Sequence, residues 1–302
     1  MTTAALTLPL PPRYRAREVL AFHGRDPEGL AERVEGNRLS KGVVLAGAPT
    51  VITLELMADR VRCRADAAGA AAAPAAALRR GLRTLAVRLL GLHMDPQPFE
   101  ARWRRDPLIG PLVRRRRGLR IPLTASPFEA LSWAVIGQQI NLPFAIQLRR
   151  AVIRATDSRH PGGLWCCPEA AQIAQLDAGT LRALKFSGAK ADTLLRVARM
   201  TVDGSLPLDL WAAERAGDEA IQAGLLAVKG IGPWTVNYVL LRGFGLADRS
   251  LHGDAAVRTA LQAALGRKER LDEGRAEALL DRYRPFRSLA AAHLWASRAT
   301  EA

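Results

Sequence analysis

Between Leu225 and Arg258 the chain reads LLAVKGIGPWTVNYVLLRGFGLADRSLHGDAAVR, and this stretch restricts the fold more than any other. Leu225, Leu226 and Val228 close one apolar helical run, and Val236, Val239, Leu240 and Leu241 carry the next. Gly230-Ile231-Gly232 between them supplies the conformational freedom of a tight turn joining two paired helices. Pro233 suits the first position of the second helix, where a missing N–H costs nothing. A hairpin at about 222–245 then presents free backbone N–H groups at a helix start, which is a phosphate-binding arrangement. Asp254 follows Pro233 by 21 residues and directly precedes the helical run Ala255-Ala256-Val257-Arg258-Thr259-Ala260-Leu261.

The 302 residues carry 44 Lys and Arg against 29 Asp and Glu, a formal net charge of +15. That excess suits a polyanionic partner, and DNA, RNA and an anionic membrane are all compatible with it. No apolar run of about 18 residues predicts a membrane-spanning helix, and the N-terminus lacks the charged and apolar regions of a signal peptide. Cys63, Cys166 and Cys167 are too few for a four-cysteine iron–sulfur site, so no such cluster is expected and a reduced, cytoplasmic protein is the plain reading.

Residues 1–66 read mainly as β-structure. Val51–Met57 alternates, with Ile52, Leu54 and Leu56 on one face. Val43-Val44-Leu45 precedes it across a hairpin predicted at Gly47-Ala48-Pro49, and Arg60–Arg64 alternates charge with apolar residues. Arg17–Leu20 begins a short helix. Ala67–Ala77 reads as a loop running into a helix that carries Leu78, Leu82, Leu85 and Leu89. Pro96 and Pro98 mark a boundary, and Arg114-Arg115-Arg116-Arg117 is either a solvated loop or a phosphate contact. From Ser126-Pro127-Phe128-Glu129, a capping box with proline at N1, almost everything is predicted helical, through a last helix at about 287–297. The fold class is α+β: an N-terminal mixed domain over residues 1–97, then a mainly helical region over 98–302.

Asp254 is a good N-cap for the helix that follows it, and a carboxylate at a helix N-terminus is stabilised by the dipole and free N–H groups.

The turn, the tryptophan after it and the spaced aspartate together resemble the helix-hairpin-helix, Gly/Pro…Asp family of DNA glycosylases. Further segments are similar to its alkylation-repair branch, the 3-methyladenine DNA glycosylase II type: Phe128-Glu129 through Ile136-Gly137-Gln138, Ala189-Lys190-Ala191, Arg284–Ser288 and His293-Leu294-Trp295. The resemblance implies a curved antiparallel sheet in the N-terminal domain, a two-lobed helical region, and Asp254 as the catalytic carboxylate, whose negative charge would stabilise an oxocarbenium-like sugar as an N-glycosidic bond breaks. It implies a base pocket of Trp234, Tyr238 and Trp295, with Phe22 reaching in from the first domain; electron-rich rings suit a cationic base. It implies DNA contacts by Gln138, Gln139, Gly230, Ile231, Gly232 and Thr235, with Gln139 as the wedge that fills the gap left by a flipped base. Backbone carbonyls of Leu226, Val228 and Ile231 would hold a structural monovalent cation, Na⁺ or K⁺, and catalysis would need no cofactor. Bifunctional relatives place a Schiff-base lysine just after the turn, where this chain has Trp234; Lys229 precedes it and is predicted solvent-exposed. The implied activity is hydrolytic excision of alkylated bases from double-stranded DNA by a monomer. An oxidised-base glycosylase/lyase and a non-catalytic damage-binding protein are the alternatives. Gln139, Gly253 and Ala255 depart from the branch's pattern, in the wedge and beside the catalytic carboxylate.

Overall fold

A computed structural model describes residues 1–69 and 73–298. The chain opens with β1 (Thr2–Pro9) and α1 (Ala16–His23), then runs through β2 (Glu32–Glu35), β3 (Arg38–Leu45), β4 (Ala48–Leu56) and β5 (Arg60–Ala67). These form an antiparallel sheet in the order β1-β5-β4-β3-β2. The alternation in β4 buries Ile52, Leu54 and Leu56, the face expected from the sequence. The hairpin before it turns on Ala46 and Gly47, both with positive φ, while Ala48 and Pro49 already belong to β4. The predicted Gly47–Pro49 turn is therefore shifted, because two left-handed residues match the twist of the flanking strands. Of the alanine-rich stretch read as a loop, residues 70–72 lie outside the described residues.

Helix α2 (Ala75–Leu89) packs Leu78, Leu82, Leu85 and Leu89 onto the sheet, and with it completes the first hydrophobic core. Next come α3 (Gln97–Trp103), α4 (Gly110–Arg115), α5 (Pro127–Gly137) and α6 (Leu142–Ala155). A two-residue strand, β6 (Cys166–Cys167), adds parallel to β3. The remaining helices are α7 (Ala170–Ala174), α8 (Ala178–Ala183), α9 (Gly188–Val202), α10 (Leu208–Glu214), α11 (Asp218–Leu226), α12 (Pro233–Arg242), α13 (Ala255–Ala264), α14 (Glu273–Asp281) and α15 (Arg287–Arg298).

The helical region has two cores. One gathers residues between Phe128 and Leu240. The other packs Phe99, Ile109, Val113, Leu119 and Leu123 against Leu241 and residues of α13, α14 and α15. Helix α12 passes between them, giving Val239 and Leu240 to the first and Leu241 to the second. Its C-terminal half therefore lies between the two cores.

A buried ionic cluster fixes the sheet to α5 and α6. Lys41 on β3 donates to Glu32 at 2.6 Å and to Glu129 on α5 at 2.7 Å; Arg149 on α6 reaches the same two carboxylates at 2.9 and 3.0 Å. His23 at the end of α1 joins through Glu32, 3.1 Å away. Burial would raise both carboxyl pKa values, but Lys41 and Arg149 outweigh it and hold Glu32 and Glu129 below the ordinary range. Ser126 caps α5 by accepting the Glu129 N–H, as the capping box predicts. The Glu129 carboxylate, however, accepts the N–H of Ala125 and turns inward to Lys41.

Candidate active site

The turn before α12 has the geometry its glycines predict. Gly230 sits at φ +96°, and a Cβ there would lie 2.2 Å from the Thr193 hydroxyl of α9, so both conformation and close packing require glycine. Pro233 is at N1 of α12 behind the extended N-cap Gly232. The backbone N–H groups of Gly230, Gly232, Trp234 and Thr235 have no hydrogen-bond acceptor among the described residues. Gly230 is exposed and Ile231 is buried beneath it. The Val228 carbonyl accepts the Ile231 N–H, and Leu226 is exposed.

Gln138 and Thr235 have a different task from phosphate contact through their side chains. Gln138 donates to the Gly230 carbonyl and to the Thr235 hydroxyl, both at 3.0 Å, and Thr235 is buried. The pair bolts the end of α5 to the hairpin. Gln139, next along, is exposed and held at φ +56°, a strained setting for a non-glycine residue.

Asp254 caps α13, its Oδ1 accepting the Val257 N–H at 3.0 Å. Two indoles add to that. Trp295 Nε1 donates to Oδ1 at 3.0 Å and Trp234 Nε1 to Oδ2 at 3.2 Å. The loop carrying Asp254 is clamped to α15: Arg287 pairs with Asp248 at 2.7 Å, and the Ser288 hydroxyl donates to the Leu246 carbonyl at 2.7 Å. His293, fully buried, stacks on Phe99 with ring centroids 5.5 Å apart and anchors α15 one turn before its end.

Tyr238 lies one turn after Trp234, with ring centroids 5.7 Å apart, and its buried hydroxyl has no hydrogen-bond partner among the described residues. One turn further is Arg242, which the sequence reading overlooked. Its guanidinium lies 4.2 Å from the Phe22 ring centroid and 5.0 Å from that of Trp295, and it donates to the Pro122 carbonyl at 2.6 Å. Burial pushes its pKa down to about 10, with Tyr238 and Asp254 opposing that and Arg25 adding to it. Arg25 also stands 4.2 Å from the Phe22 centroid and 5.2 Å from that of Trp133. Phe22 thus reaches the site from α1, and its ring is engaged by two cations. Trp234, Tyr238 and Arg242 are spaced i, i+4, i+8, so the shared face was readable; its meeting with Phe22 was not.

The arrangement is a carboxylate fixed by three N–H donors, walled by aromatic rings, beside a hairpin with unpaired amides. Lys229 is exposed and offers only its carbonyl, to Arg196 at 2.9 Å. Among the described residues no cluster of His, Cys, Asp or Glu is arranged to hold a metal ion, and no helix is long and apolar enough to cross a membrane.

Comparison with known proteins fits this geometry. The AlkA N-terminal domain family matches residues 5–126. The chain is 34% identical over 190 residues to a putative DNA-3-methyladenine glycosylase, YfjP, of Bacillus subtilis, covering 62% of this chain and 64% of that one. It is 36% identical over 154 residues to a DNA-3-methyladenine glycosylase of the same organism, covering 50% of each. The matched stretch thus spans about half to two thirds of the length of these relatives. The solved 3-methyladenine DNA glycosylase of Archaeoglobus fulgidus superposes with a TM-score of 0.81 at 20% identity, over 96% of this chain and 97% of that one, a likeness of fold.

Proposed function

We propose that the chain is an AlkA-type member of the helix-hairpin-helix DNA glycosylases and that it excises alkylated purines from double-stranded DNA by hydrolysis. The observation that carries the reading is Asp254. Both of its oxygens are held by indole N–H groups while it caps α13, so the charge is fixed in place beside the rings.

The hairpin N–H groups around Gly230, Ile231 and Gly232 take a phosphate of the duplex at the start of α12. The Leu226, Val228 and Ile231 carbonyls belong to the same turn and supply the oxygen donors a monovalent cation prefers, so they would hold Na⁺ or K⁺ between hairpin and phosphate. Gln139, exposed and strained, enters the duplex as the damaged nucleotide leaves it. The flipped base stands between Trp234, Tyr238 and Trp295. A purine alkylated at N3 or N7 is cationic and leaves readily, so no strong general acid is required. Asp254 stabilises the sugar cation as the glycosidic bond breaks, water adds to the sugar, and an abasic site remains. The groups bonded to Asp254 are Trp234, Trp295 and Val257, none of them a lysine, which disfavours a lyase step. The protein acts as a monomer, in the cytoplasm with the chromosome, and without an iron–sulfur cluster.

The test is release of free base from methylated duplex DNA, read by chromatography, for wild type and Asp254→Asn. Wild type should release 3-methyladenine or 7-methylguanine, and Asp254→Asn should bind DNA but release none. Equal release by the variant would reduce Asp254 to a helix cap. Protein trapped on DNA by borohydride would establish a lyase instead.

A further inference from the structure

A cleft of about 450 Å³ opens between the start of α1 and the end of α4, lined by Arg13, Arg15, Arg17, Arg114, Arg115 and Arg117. The geometry points to this cleft as a second nucleic-acid contact, seating the phosphate backbone of the duplex a few nucleotides from the flipped base. The inference rests on the proposed action on double-stranded DNA.

Charge is the first argument. Arg15 pairs with Glu18, with Nε 2.6 Å from the carboxylate, and Arg117 lies 3.8 Å from Glu100. Arg114 donates to the Arg104 carbonyl at 2.6 Å, which neutralises nothing. Arg13, Arg17 and Arg115 are exposed and have no hydrogen-bond or ion-pair partner among the described residues. Six guanidiniums thus face two carboxylates. Such crowding is unfavourable until a polyanion relieves it, and the planar guanidinium suits phosphate oxygens two at a time.

The cleft is also built. Gly118, at φ +82°, lets the Arg13 carbonyl approach so closely that a Cβ at Gly118 would stand 2.1 Å from that oxygen. Gly118 also donates its N–H to the buried Glu100 carboxylate. Two basic segments about a hundred residues apart are thereby locked side by side.

Chemistry selects the partner. Tyr14 is the aromatic residue of the cleft, and its hydroxyl donates to the Leu90 carbonyl at 2.8 Å, anchoring it to α2. No free aromatic platform is present to stack unpaired bases, as single strands and free nucleotides require. A duplex keeps its bases inside and offers only backbone, which is what the cleft can hold.

Position completes the argument. Arg15 is the N-cap of α1 and Phe22 lies seven residues on, so the two are separated by about 10 Å along the helix axis. Phe22 is at the active site. At about 3.4 Å per nucleotide that separation equals roughly three nucleotides of backbone, short enough for one duplex to reach both.

The experiment compares wild type with an Arg114→Gln/Arg115→Gln/Arg117→Gln variant and with Arg17→Glu, which alters a residue bonded to nothing. Binding to a fluorescent duplex carrying a methylated base is followed by anisotropy against salt, and base release is followed at saturating enzyme. Three lost phosphate contacts flatten the salt dependence, so that over a fourfold rise in salt wild type loses about 40-fold more affinity than the triple variant. Arg17→Glu should weaken binding in the same direction, and both variants should release base at the wild-type rate once saturated. A duplex truncated about two base pairs from the lesion should abolish the difference. Unchanged salt dependence in both variants, with wild type still releasing base, overturns the cleft contact. Absence of release by wild type overturns the activity instead. A larger loss on single strands than on duplex overturns the choice of partner.

Discussion

Lys41 is the residue whose removal tests how the sheet is tied to the site. It is almost wholly buried, and with Arg149 it balances two buried carboxylates, Glu32 and Glu129. Lys41→Met keeps an unbranched chain one atom shorter and leaves two anions facing one guanidinium. Breaking a buried pair by deleting one partner costs about 3–5 kcal/mol, because the remaining charge is desolvated and uncompensated. With an unfolding entropy near 2.1 cal/mol/K per residue, a chain of 302 residues has about 0.63 kcal/mol/K, so the midpoint should fall by about 5–8 °C. Calorimetry at neutral pH measures this. Adding Glu129→Gln removes the stranded charge and should restore at least about half of the loss. The acid limb gives the sign. Glu32 and Glu129 have lowered folded-state pKa values, so their contribution is complete above the ordinary carboxylate pKa and disappears as pH falls through the folded values. Without Lys41 those values rise, and the acid loss of stability begins at higher pH. A midpoint shift under about 2 °C, or no recovery in the double variant, would refute the view that these charges are paired and dry.

Two further substitutions separate site from scaffold. Trp295→Phe keeps a ring and deletes the donor to Asp254 Oδ1; a hydrogen bond to a charged group is worth about 1.5–3 kcal/mol, so single-turnover base release should fall roughly 10- to 150-fold. An unchanged rate would mean that the indole serves only as a wall. Gln139→Gly should raise stability by up to about 1 kcal/mol by relieving the positive φ. The same variant should slow base release from duplex DNA, and opposite signs in melting and turnover are the outcome that marks a wedge.

Local signals were the legible ones. Gly230, Gly232 and Pro233 specify a turn and a helix start from a few neighbouring residues, and Ser126 specifies the start of α5 in the same way. Lys41 was not legible: in Leu39-Ser40-Lys41-Gly42 it looks like a strand's exposed charge, and only Glu129, 88 residues on, makes its burial tolerable. Glu129 itself announced a capping box, which is half of what it does. Arg242 likewise depends on Phe22 and Pro122, more than a hundred residues upstream. The short pairing of β6 with β3 joins Cys166 to Gly42 with no periodicity to betray it.

Asp254 shows how geometry divides two readings that sequence leaves together. A helix cap requires one side-chain oxygen accepting one backbone N–H, and Asp254 has that in Val257. Capping gives no reason for a second oxygen to be held by an indole 20 residues upstream, or for a second indole 41 residues downstream to share the first. Those bonds cost the ordering of two large side chains and leave the carboxylate beside Tyr238 and Arg242, where a cap gains nothing. What they achieve is a negative charge with a fixed position and orientation, as the role proposed for Asp254 in stabilising a sugar cation requires.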